Sequence, residues 1–95
     1  VCHLRVEGHT DNVPIHNAAF ASNWDLSTAR AMAVAMMLLN ESGVAPQKIS
    51  IAGYAQYHPA ASNDTADGRK ANRRVDIVVV STATPAPVKT ATQTR

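Results

Sequence analysis

The sequence predicts an α/β (α+β) domain, a mixed sheet with helices packed on one face. Three stretches predict it. "HLRVEG" near the start alternates apolar and polar residues with the period of a half-buried strand. A long run of helix formers separates it from a second alternating segment, "KISIAGY". "RRVDIVVVST" (Arg73 to Thr82) is dense in Val and Ile, the composition of a strand inside a sheet. A strand, a helix of about seventeen residues and a second strand form a crossover unit whose two strands run parallel.

In the first strand Leu4 and Val6 lie on one face, Arg5 and Glu7 on the other, and Gly8 ends it. His9 to Asn23 reads as a loop of about fifteen residues, a length that is usually functional or disordered. Asn23 stands at the expected N-cap of the helix, where its side-chain oxygen can accept orphan N–H groups, and Asp25 suits the positive end of the helix dipole. "DLSTARAMAVAMMLLNES" follows, rich in Ala, Met and Leu. Leu26, Ala29, Ala33, Met36, Met37 and Asn40 trace one side, and the Met cluster is read as core. Gly43 stops the helix and Pro46 prevents its resumption. Lys48 to Tyr54 is the second strand. Ala55 to Asp67 is a loop. "TADGRKANRR" reads as a short helix weakened by Gly68. "ATPAPVKTATQTR" has the composition of a disordered tail. The expected organisation is one domain over 1–82 and a tail over 83–95.

With 95 residues the chain holds one domain with a modest core. Nine Lys+Arg against seven Asp+Glu give a net charge of +2, too weak to argue for nucleic acid. The single cysteine, Cys2, forms neither an internal disulfide nor a zinc site alone, and reads as a small apolar strand residue. No apolar run approaches the roughly 20 residues that span a bilayer. One long helix leaves a face of a three-stranded sheet poorly covered, so an N-terminal piece is expected to be missing.

Four histidines, His3, His9, His16 and His58, show no metal-ligand spacing, so no metal and no cofactor are expected. His9 is expected to order the loop through backbone hydrogen bonds. Ser22, Ser27, His9 and Asp11 do not make a nucleophile elbow, because no G-x-S-x-G occurs, and no catalytic residues are assigned. Asp25 is explained by the helix terminus, which leaves Asp11 without a partner carboxylate for glycosidase chemistry. Arg69, Lys70, Arg73 and Arg74 form a basic run without the aromatic platform that single-stranded nucleic acid needs. There remain Asp11, just past the C-terminal end of a parallel strand where crevices form, and Arg30, in the first turns of the crossover helix. The two can flank one pocket. On spacing alone they are equally an internal salt bridge or a receptor for a zwitterion, the acid taking an ammonium and the arginine a carboxylate.

"VEGHTDNVPI", "FASNWDLSTARA", "ISIAGYAQYHP" and "DGRKANRRVDIVV" together resemble the OmpA-like peptidoglycan-binding domain. The matching motifs are Gly8–Asp11, Asn23–Ala31, Gly53–Ala55 and Asn72–Val75, and they cover about residues 3–81. The longer loop with Pro14 and Ile15 is most similar to that of the flagellar stator members. The resemblance implies a βαβαβ sandwich, here without the strand and helix that normally precede the first strand. It implies non-covalent, non-enzymatic binding of the diaminopimelate residue of the peptidoglycan stem peptide. Asp11 and Arg30 map onto the family's ligand-binding acid and arginine, Thr10 and Asn23 onto positions near the ligand, and Arg73 onto a supporting contact. The same resemblance implies a periplasmic domain of an inner-membrane-anchored protein, a homodimer, and a stator channel subunit as membrane partner through other segments. An outer-membrane anchor of the OmpA or Pal type is the alternative, and a cell-wall hydrolase a more distant one. Gln56 stands where the family commonly has a glutamate.

Overall fold

The computed structural model describes residues 2–81 and the backbone of residues 88–94. Its elements are β1 (Cys2–His9), α1 (Asn23–Glu41), a 3-10 turn (Pro46–Lys48), β2 (Ile49–Gly53), α2 (Ala66–Asn72), β3 (Arg74–Ser81) and β4 (Val88–Thr94). They build one mixed sheet in the order β2-β1-β3-β4. β1 pairs with β2 in parallel, Val6 opposite Ile51, and with β3 antiparallel, Val6 opposite Ile77. The expected α+β architecture with two parallel strands joined by a long helix is what forms.

The tail departs from expectation. Instead of lacking structure, Val88–Thr94 pairs antiparallel with β3, with a register shift between Ile77 and Val78. Val88, Thr90, Thr92 and Thr94 are β-branched at alternate positions, and β3 offers them an open ladder on the side away from β1. The boundary expected at residue 82 lies outside the described residues.

The core sits between α1 and the sheet. Val6, Ala31, Val34, Ala35 and Val75 are buried together, with Leu38, Ile49, Ile51 and Ile77 packed against them. The helix therefore faces the sheet through Leu26, Ser27, Ala31, Val34 and Ala35. This corrects the expected register, because Met32, Met36 and Met37 are 46%, 45% and 41% exposed. The reason is steric. A helix lying close to a sheet needs small residues at the contact, and Ala31 and Ala35 supply them while the bulkier methionines face outward. The helix comes close to β1 at Gly8, where a methyl group would overlap the Ser27 carbonyl.

The helix ends as its sequence suggests. Gly43 takes a left-handed φ of 69°, and the Ser42 and Val44 N–H groups donate to the Leu38 carbonyl. Its start differs by one residue. Ser22 is the N-cap and Asn23 the first helical residue, which leaves the Asn23 amide for other work. Thr65 caps α2 by accepting from the Gly68 N–H.

Candidate functional site

β1 ends at His9 and releases the loop that carries Asp11. Three elements are stitched together there. The Ser27 hydroxyl donates to the Trp24 carbonyl at 3.0 Å and accepts from the Ala55 N–H at 3.0 Å. The Ala55 carbonyl in turn accepts from the Thr10 N–H at 2.9 Å. Ala55 adopts a left-handed φ of 53°, which costs a non-glycine residue about 1–2 kcal/mol. The first turns of α1, the end of β2 and the start of the long loop thus share one buried knot.

The Asp11 carboxylate is buried and engaged at both oxygens. Oδ1 accepts from the Val13 N–H at 3.1 Å, and Oδ2 accepts from Arg73 Nη1 at 2.8 Å. The ion pair of Asp11 is with Arg73, and not with Arg30, the residue singled out with it in the sequence. No ion pair to Arg30 occurs among the described residues. Arg30 nonetheless belongs to the cluster. Burial, and then the positive charge of Arg73, push its guanidinium below its ordinary pKa, and its Nε is buried without a hydrogen-bond partner. Arg30 stands two turns along α1 from Asn23, close enough to Arg73 to feel its charge.

The other two predicted residues serve the loop. Thr10 is buried and its hydroxyl donates to the Asp11 carbonyl at 2.8 Å. Asn23 Nδ2 donates to the Val13 carbonyl at 3.1 Å, while its Oδ1 is buried and unpartnered. A cleft of about 210 Å³ beside them is lined by Asp11, Val13, Pro14, Ile15, Asn23 and Leu26. A neighbouring cleft of about 270 Å³ is lined by Ser22, Trp24, Gln56 and Tyr57 among others. Trp24 and Tyr57 lie ring to ring at 5.3 Å, both more than half exposed.

The Asn72-Arg73-Arg74 motif divides into three tasks. Asn72 is fully buried; its Oδ1 accepts from the N–H groups of Ala60 and Ala61, and its Nδ2 donates to the Ala61 carbonyl and Asn63 Oδ1. Arg73 pairs with Asp11. Arg74 Nε donates to Asp76 Oδ2 at 3.2 Å, and its Nη2 to the His58 carbonyl at 3.1 Å.

A second polar cluster was not foreseen. Glu7, His9 and Asp76 converge on the sheet face opposite α1, with donor atoms within 4.8 Å of one another. His9 Nε2 stands 3.5 Å from Asp76 Oδ2 and 4.0 Å from Glu7 Oε1. The ring stacks on Tyr54 at 5.2 Å. His9 therefore bridges β1 to β3 side chains, where backbone bonding was expected. Among the described residues this is the set able to hold a metal ion. However, Arg5 and Arg74 already supply a positive charge to each carboxylate. The signal in the sequence was a period-2 placement of Glu7 and His9, and a lone Asp76 inside an apolar strand.

Residues 2–73 match the OmpA family. The chain belongs to the OmpA family. It is 44% identical over 75 residues to Motility protein B of Bacillus subtilis, across 79% of this chain and 29% of that protein. The C-terminal domain of Helicobacter pylori MotB superposes with a TM-score of 0.79 at 34% identity, over 84% of this chain and 60% of that one. A structure described as the cell wall anchor of the T6SS from Pseudomonas aeruginosa matches with a TM-score of 0.73 at 43% identity, over 79% of this chain and 52% of that one. This OmpA-family chain thus spans under a third of the curated relative's length. No described helix is long and apolar enough to cross a membrane.

Proposed function

We propose that this domain binds peptidoglycan without cutting it, by gripping the free amino-acid end of diaminopimelate in the stem peptide. The single observation that carries the reading is the Asp11–Arg73–Arg30 cluster at the open end of β1, in which one guanidinium has an acid and the other has none. A carboxylate on the ligand satisfies Arg30, and an ammonium shares the Asp11 carboxylate, whose oxygens can each accept more than one hydrogen bond. Family membership and the resemblance to a cell-wall anchor support the same substrate.

The identity to Motility protein B supports a finer role, tethering a flagellar stator to the wall. Under this reading the domain works in the periplasm, and homodimerisation and a channel-subunit partner belong to the full-length protein. A single transmembrane helix bearing an acid elsewhere in the parent protein favours the stator. A lipid-attachment motif or a β-barrel favours an outer-membrane anchor.

Co-sedimentation with purified sacculi tests the reading. The wild-type chain is expected in the pellet with no soluble wall fragments released. Asp11→Ala and Arg30→Ala each lose a charge-assisted contact of roughly 1.5–3 kcal/mol, about tenfold or more in affinity. Undiminished binding by both variants, each shown folded by circular dichroism, places the site elsewhere. Released fragments make the protein a hydrolase.

A further inference from the structure

We propose that this site selects its guest by an ionised carboxylate, accepting a stem-peptide end group that carries one and rejecting the same group as a carboxamide. This inference rests on the reading of Asp11 and Arg30 as the diaminopimelate site and adds to it which of the ligand's two charges decides binding.

The electrostatics of the cluster are lopsided. One carboxylate, Asp11, pairs with Arg73, and Arg30 lies near enough to Arg73 to feel its charge. Asp11 is matched by Arg73 at 2.8 Å and by the Val13 N–H at 3.1 Å. Arg30 has no ion pair among the described residues, and its Nε is buried without a partner. Burial and the neighbouring Arg73 both act against its charge, yet a guanidinium stays protonated at any physiological pH. The cluster therefore holds an uncompensated cation with a planar fork of N–H donors.

A carboxylate answers this with negative charge and two acceptor oxygens in matching geometry. A carboxamide has the same shape and answers with neither. It is uncharged, and one of its two polar ends is an NH₂ donor that meets the N–H groups of Arg30 head-on. A buried donor left unpaired in this way carries a desolvation penalty, the situation in which polar sites discriminate most strongly. The ammonium end is read more weakly, because Arg73 already neutralises the acid that would receive it. Acylating that amine, which removes its positive charge, also relieves repulsion from the two arginines. The order of importance is thus carboxylate first and ammonium second.

Isothermal titration of the full chain with three tetrapeptide-stem muropeptides tests this: one with a free diaminopimelate end, one with that carboxylate converted to the carboxamide, and one with the free amine acetylated. The carboxamide is expected to bind about tenfold or more weakly than the free form, and the acetylated form to lose less than the carboxamide does. Arg30→Gln is expected to bring the free-to-carboxamide ratio close to one, and Arg30→Lys, which keeps charge without the fork, to retain part of it. Equal affinity of the wild type for free and carboxamide forms overturns the inference and leaves the binding site standing. A ratio unchanged in Arg30→Gln also overturns it, by moving discrimination to another residue. Binding of none of the three overturns the site reading itself, and the inference with it.

Discussion

Replacing Asn72 with alanine probes the loop that closes over the polar face of the sheet. The side chain makes four hydrogen bonds of 2.7, 2.9, 2.9 and 2.8 Å, to Ala60, Ala61 twice and Asn63. Each is worth about 1 kcal/mol net, so complete loss sets a ceiling of about 4 kcal/mol. Ala60 and Ala61 are exposed, and water recovers part of this for their backbone groups. The expected cost is about 2–4 kcal/mol, a large share of the 5–15 kcal/mol typical of a domain. With a urea slope of about 1–3 kcal/mol per molar, the unfolding midpoint falls by about 0.7–4 M. Asn72→Asp keeps the acceptor for both N–H groups and loses the two donor bonds, so it lands between alanine and wild type. Urea melts followed by circular dichroism give the midpoints, and amide exchange at Ala60 and Ala61 locates the change. A shift worth under about 0.5 kcal/mol for Asn72→Ala, or faster exchange throughout with none specific to this loop, refutes the clamp.

Three further perturbations have expected outcomes. Met36→Ser lies on the outward face of α1 and should change stability by no more than about 0.5 kcal/mol in a thermal melt, whereas Ala35→Leu, at a fully buried position, should cost about 1–3 kcal/mol by overpacking. Gly8→Ala drives a methyl into the Ser27 backbone and should cost about 3 kcal/mol or more, with loss of sacculus binding because α1 and the Asp11 loop part. Tyr54 holds its proton above the ordinary tyrosine range, because burial and then the Glu7 charge disfavour the phenolate. The folded state then binds more protons than the unfolded chain above about pH 10, so this stabilisation is complete below that pH and is lost as pH rises through the folded value. Urea midpoints across that range should decline less steeply for Tyr54→Phe than for the wild type.

Much of the fold was legible because it rests on local signals. Strand alternation in β1 and β2, the Ala- and Leu-rich composition of α1, and Gly43 at its end all act within a few residues. The second set of facts needed the partner surface. Composition alone does not say which side of an Ala- and Met-rich helix meets the sheet, and here the small residues won the contact. The tail read as loose from its prolines, but an open edge on β3 gave Val88–Thr94 something to pair with. Asp11 and Arg30 were recognisable as a pair of interest, while the ion pair between Asp11 and Arg73 spans 62 residues of chain and exists only because β1 and β3 are neighbours.

By itself the sequence determined the element order as far as β3, the helix stop and the residue types of the binding motifs, since each follows from backbone preference and short-range spacing. Tertiary structure decided which arginine holds Asp11, which is left uncompensated, and how Glu7, His9 and Asp76 meet. Charges interact through space over a few ångströms, and strand register alone brings residues so distant along the chain within that reach.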